Sequence, residues 1–255
     1  MKQKRKSQSS FSLKKAQIND NPSYNSIMEI INNSKSLLIT LDTNEKPPSK
    51  YFANFISVTD ELAKIKEKII QVKNQHKVSY RNIFEIFFTI RNNLIKTYLL
   101  SIVGNLICTE EINKVVPLIN ELINQLKVID YPIVSFFACY FCFNCFENTL
   151  KQCDPEIAMQ YYLTIISEMS KLLNKMREEV NVQDKFSKDL QNLHCLVIEN
   201  INKLISLPNK ESFRNTILPK IISFVSFVII LLPLQKLQAF YLCILRPLKL
   251  FLYLL

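Results

Sequence analysis

One glycine in 255 residues, Gly104 within SIVGNLI, is the feature that most limits what this chain can build. Average usage of roughly 7% would place about 18 in a chain of this length. Phosphate-cradling loops, dinucleotide fingerprints, nucleophile elbows and kinase glycine-rich loops all need glycine, for positive φ or for close backbone approach. A lone Gly104 supplies none of them. Tight hairpin turns lean on glycine as well, which argues against an all-β fold. What remains is an all-α chain.

Catalytic raw material is equally scarce. There are two histidines, His76 and His194, and no tryptophan. No HExxH, no paired carboxylates and no nucleophile–base spacing occurs. The expectation is a protein that is not an enzyme and carries no cofactor. Seven cysteines without a secretory signal peptide read as reduced thiols in a cytosolic protein.

Net positive charge is concentrated at the two ends. Residues 1–15 hold Lys2, Lys4, Arg5, Lys6, Lys14 and Lys15 with no acid. Residues 212–255 hold Arg214, Lys220, Lys236, Arg246 and Lys249, again with no acid. The stretch between them is almost neutral. A nucleic-acid-binding domain places its cations along folded faces, so nucleic acid is not an expected partner. The first 21 residues read as a basic, disordered tail.

From residue 22 onward the pattern is a succession of amphipathic helices. Pro22 lies just inside a start that carries Ile27, Met28, Ile30, Ile31, Leu37 and Leu38, and DTNEKPPSK closes that unit. Pro48 opens a long helix with Phe52, Phe55, Ile56, Val58, Leu62, Ile65, Ile69 and Val72 in steps of three and four. Ser79 caps a helix bearing Ile83, Phe84, Phe87, Phe88 and Ile90, and a separate helix follows the Arg91-Asn92-Asn93 break. Thr109-Glu110-Glu111 predicts an N-cap with acids in the first turn. Pro132 and Asp154-Pro155 mark two more starts. REEVNVQDKFSK reads as the longest internal loop, and a final helix from about residue 188 ends at Pro208. The helix over 132–150 is apolar nearly all round, which predicts burial on both sides. Together these give an α-solenoid of antiparallel helix pairs, HEAT- or armadillo-like, over residues 22–210.

Cys139-x₂-Cys142-x₂-Cys145, with Cys153 beyond, resembles a ferredoxin cysteine run in spacing. On a helix, however, positions i, i+3 and i+6 swing round the axis and three thiols do not converge on one ion. These cysteines read as small core residues and no metal is expected. His194-Cys195 point about 100° apart on their helix and form no dyad. His76 reads as surface. Residues 211–255 are an apolar tail, either a membrane segment over 217–245 or the product of an altered reading frame. The 14-residue apolar run over 221–234 falls short of the roughly 20 residues that a span needs.

Three collinear stretches carry a family resemblance. Pro48-Ser49-Lys50-Tyr51-Phe52, followed by Asp60-Glu61-Leu62, is similar to a helix start in the vacuolar protein sorting-associated protein 35-like family. Its members are the large α-solenoid subunits of retriever, a retromer-like complex. Leu94-Ile95-Lys96-Thr97-Tyr98-Leu99-Leu100 resembles the Pro-Arg-x-Tyr-Leu stretch of the retromer and retriever large subunits. Asp130-Tyr131-Pro132-Ile133-Val134, continuing through Ala138 and Cys142, resembles their Asp/His-Pro-Leu helix start. Leu193 to Pro208 is a fourth, weaker match.

The resemblance covers about 48–210, an N-terminal part of a longer protein. It implies a scaffold subunit in endosomal recycling and protein transport, cytoplasmic and peripheral on the endosomal membrane. It also implies an arrestin-like small subunit as partner, seated by Lys96, Tyr98, Leu99 and Leu100. Ile95-Lys96 stands where the family has Pro-Arg, so the charge is kept without the planar guanidinium fork. The alternative expectation is a membrane-anchored helical protein held by its C-terminal segment.

Overall fold

Proline sets where most of these helices begin. The computed structural model describes residues 22–43 and 48–179, with Leu193 and Leu196 beyond them. Helix α1 spans Pro22–Leu38, α2 Pro48–His76, α3 Tyr80–Phe88, α4 Asn93–Glu110, α5 Val115–Leu126, α6 Pro132–Leu150 and α7 Pro155–Glu179. Pro22, Pro48, Pro132 and Pro155 each occupy the first helical position, where the missing N–H is lost at no cost and φ is already set. Short 3-10 turns follow α1 (Ile39–Leu41) and precede α5 (Ile112–Lys114). Among the described residues every regular element is helical, and the fold is all-α, of the α-solenoid class of antiparallel helix pairs.

The chain divides into two compact units. One takes residues 22–43 and 52–129; the other takes 48–51 and 130–179 of the described residues. In the first unit α4 packs on α1, α3 and α5. Side-chain bonds between helix ends show the directions. Asn92 Nδ2, before α4, donates to Asp42 Oδ2 after α1 (3.2 Å), and Asn93 Nδ2 donates to the Val128 carbonyl after α5 (3.2 Å). At the opposite end Glu110 pairs with Lys73 of α2 and Glu111 with Arg81 of α3. The start of α4 therefore meets the ends of α1 and α5, and its end meets the start of α3. Each of these neighbours runs antiparallel to α4.

Helix α4 can sit among neighbours because it is apolar over most of its circumference and its buried Thr and Ser are small. Leu94, Ile95, Tyr98, Leu99, Ile102, Val103, Leu106 and Ile107 are buried, and so are Thr97 and Ser101. The two hydroxyls donate to carbonyls one turn back, Thr97 to Asn93 (2.7 Å) and Ser101 to Thr97 (2.6 Å), so neither needs water. Ser34 of α1 does the same to Ile30 (2.7 Å).

The second unit is the α6–α7 hairpin with the first turn of α2. Helix α6 is buried nearly all round, as its sequence predicts. Phe143 meets Tyr162 of α7 edge to face (centroids 4.8 Å), Phe136 meets Phe137 likewise (5.5 Å), and Tyr51 stacks on Phe137 (4.9 Å). Aromatic pairs of this kind add about 0.5–1.5 kcal/mol each beyond the area they bury. Among the described residues α6 is the one helix long and apolar enough to cross a membrane, yet its side chains fill this core.

Several expectations need correction. Thr109 caps nothing: α4 runs through it to Glu110, its hydroxyl donates back to Leu106 (2.7 Å), and the next helix starts at Val115. The apolar run Leu106-Ile107-Cys108 keeps the helix going, and the acids at its unfavourable end are matched by Lys73 and Arg81. Ile56 and Phe88, expected on apolar stripes, are exposed, whereas Tyr51 is fully buried; Val116 of α5 and Ile157 of α7 are exposed as well. Helix α7 continues into residues 177–179, the first part of the stretch read as a loop. His76 ends α2 half-buried, with Nε2 3.4 Å from Ser26 Oγ of α1. The basic tail, His194-Cys195, the helix to Pro208 and the apolar tail lie outside the described residues, save that Leu193 is helical and buried.

Two stability predictions follow from the helix ends. Asn92 is the true cap of α4, its Oδ1 accepting from Ile95 N (2.9 Å). Asn92→Ala should cost about 1 kcal/mol in urea unfolding, while Thr109→Ala stays within about 0.5 kcal/mol of wild type. Lys77, just past α2, holds φ at 52°, a conformation that disfavours any side chain with a Cβ. Lys77→Gly should raise stability by about 0.5–1 kcal/mol in the same measurement.

Candidate partner-binding site

The corner between α3 and α4 brings the expected site residues into view. Thr89 ends α3, the backbone turns through Ile90 and Arg91, and Asn92 starts α4 in an extended conformation (φ −74°, ψ 117°). Lys96, one turn into α4, is half-exposed and holds its ammonium 5.6 Å from the ring centroid of Phe88. Phe88 is itself stacked on Phe84 (6.4 Å). An ammonium over an aromatic face is weakly attracted by the ring quadrupole, which orients Lys96 without neutralising it.

Tyr98, Leu99 and Leu100 are placed differently. All three have no exposed surface and sit inside the core around α4. Of the four expected site residues, only Lys96 reaches solvent. The other three hold the helix that carries it. Sequence reading did not pick out Arg91 or Lys127, exposed cations at the same corner, or the apolar surface of Phe88 and Val128. The asparagines at the helix start were the available clue, since each can bond outward as well as cap.

The cysteine run lies on α6 without interruption. Cys139 and Cys142 are buried, and Cys145 and Cys153 are half-buried. Burial, reinforced by neighbouring Cys142 and Glu168, pushes the Cys139 thiol well above its ordinary range. Burial and then Asp154 raise Cys153, whose Sγ lies 3.4 Å from the Thr149 carbonyl. Thiols held neutral in this way are poor nucleophiles and poor metal ligands. No group of three or more His, Cys, Asp or Glu among the described residues is arranged to hold a metal ion.

Helices packed in antiparallel pairs, with no strand among the described residues, define a helical-repeat protein. The chain belongs to the vacuolar protein sorting-associated protein 35 family, which it matches over residues 6–228. That span is longer than the motifs alone mark out and runs into both flanking segments. Among its relatives are vacuolar protein sorting-associated proteins 35B, 35C and 35A of Arabidopsis thaliana, with 22%, 21% and 21% identity over 211 residues. The alignment takes in 78% of this chain and 27% of each relative. The chain thus spans about a quarter of the length of the curated relatives it matches.

Cys139 makes a pH prediction. In the folded state its thiol stays protonated, while in the unfolded chain it ionises above about pH 8.5. The unfolded state then binds fewer protons, so the thiol's contribution is fully present below that pH and is lost as pH rises beyond it. Melting temperature should fall more steeply between pH 8 and pH 10 in wild type than in Cys139→Ala. Parallel curves would show that the thiol is not held neutral.

Proposed function

We propose that this chain is a scaffold subunit, without catalytic activity, of a retromer-like complex in endosomal recycling and protein transport. Membership of the vacuolar protein sorting-associated protein 35 family over residues 6–228 carries the reading. The all-α fold of paired helices supports it, because such a fold presents helix ends and grooves to partners and needs no reactive group.

The partner is an arrestin-like small subunit, and the seat is the α3–α4 corner. Lys96 contributes a solvent-facing cation, steadied by Phe88. Tyr98, Leu99 and Leu100 contribute by positioning: buried in the core, they fix the first turns of α4. Attachment to the endosomal membrane is peripheral, through the complex. Within the family, the retriever type is favoured by the resemblance at Pro48–Phe52 and Asp60-Glu61-Leu62.

Capture of purified retriever-type and retromer-type small subunits by the full chain tests this. One of the two should be retained, with affinity falling about tenfold or more in Lys96→Glu and nearly restored in Lys96→Arg. Tyr98→Ala should lower the melting temperature as well as capture, as befits a buried residue. Failure of the wild-type chain to retain either subunit overturns the proposal.

A further inference from the structure

The turn between α2 and α3 carries a serine that the scaffold reading leaves unused. Among the described residues Ser79 is the one exposed serine outside a helix, and its backbone is extended (φ −73°, ψ 150°). Lys77 precedes it by two residues and Arg81 follows it by two, both exposed. Residues 74–84 contain no acid. An exposed hydroxyl on extended backbone, with a cation on each side, suits serine kinases that select basic substrates.

The neighbouring helices give that hydroxyl something to act on. Glu110 and Glu111 are the acids that α4 brings to this end, and both are engaged, with Lys73 and Arg81 respectively. The Arg81–Glu111 pair is open to water, its side chains 57% and 40% exposed, and pairs of that kind are held weakly. Glu111 also stands at the end of α4, where the helix dipole disfavours a negative charge. Its N–H donates to the Ile107 carbonyl (2.8 Å) and its own carbonyl accepts from Lys114 N (2.9 Å). Glu111 thus joins α4 to the 3-10 turn before α5.

We propose that Ser79 is a phosphorylation site, and that its phosphate takes Arg81 from Glu111 and loosens the α4–α5 connection. In the transfer Ser79 Oγ bonds to the γ-phosphorus of a nucleoside triphosphate and gives its proton to the base of the kinase. The nucleoside diphosphate leaves with the electron pair of the broken P–O bond. The product carries a charge of about −1.5 to −2 and three acceptor oxygens, against the single charge of Glu111. It also lies two residues from Arg81, whose guanidinium fork suits phosphate. Glu111 then loses its cation and is repelled by the new dianion. Lys73 keeps Glu110, so α2 stays joined to α4. This inference goes beyond the scaffold reading and stands whether or not a small subunit binds.

Treating the full chain with ATP and the catalytic domain of a basic-directed kinase, of the protein kinase C class, tests it. Peptide mass spectrometry should place a phosphate on Ser79 and none at that position in Ser79→Ala. Lys77→Glu and Arg81→Glu should each cut labelling there about tenfold, while Glu111→Gln labels as wild type. Circular dichroism checks that each variant folds. Hydrogen exchange then reads the swap of partners: phosphorylation should speed exchange over residues 107–114 about tenfold in wild type. It should add little in Glu111→Gln, where the pair is already gone. Phosphate found only on serines of residues 1–15 overturns the site, as does labelling of Ser79 that ignores both charge reversals. A phosphorylated Ser79 with unchanged exchange over 107–114 overturns the swap.

Discussion

Each unit depends on one helix that is buried over most of its surface. α4 and α6 are apolar over most of their circumference, and a helix of that kind is stable in water only when neighbours cover it. Their burial draws in the elements around them: α1, α3 and α5 in one case, α7 and the first turn of α2 in the other. The buried Thr97 and Ser101 hydroxyls on α4 bond to their own helix and so need no water. Everything proposed about binding concerns what is left at helix ends once this packing is complete.

Much of the fold is legible in the sequence because its punctuation is strong. Proline at a first helical position and Ser79 as a cap are local signals that act within a turn, and all of them mark observed starts. Thr109-Glu110-Glu111 misleads for a physical reason. It has the composition of a helix start, but the preceding apolar residues are already helical and two cations from other helices neutralise the acids. That compensation comes from residues some 30 or more positions away and leaves no trace in the local pattern. Buried Ser34, Thr97 and Ser101 are hidden in the same way, since polarity suggests a surface position and only the back-bonded geometry reveals otherwise.

The candidate site is less legible still. Resemblance points to Lys96, Tyr98, Leu99 and Leu100 as one group, but adjacent positions on a helix face different ways. Three of the four turn inward and one turns out. What surrounds Lys96 is assembled by Asn92 and Asn93, whose partners lie 50 and 35 residues away. No periodicity records such links. The scarcity of glycine has its own trace here: with Gly104 placed inside a helix, Lys77 adopts the left-handed turn that glycine would ordinarily take.

The stacking of Tyr51 on Phe137 has a consequence for synthesis on the ribosome. Tyr51 opens a helix whose later turns belong with residues made soon after it, but its own aromatic partner is encoded far downstream. At ordinary elongation rates Phe137 follows roughly 4 to 17 seconds behind. During that interval the first unit has its whole complement of helices, while the opening turn of α2 waits with an uncovered ring. The nascent polypeptide therefore carries a temporary sticky end until α6 emerges, which makes this the stage at which a chaperone would find something to hold.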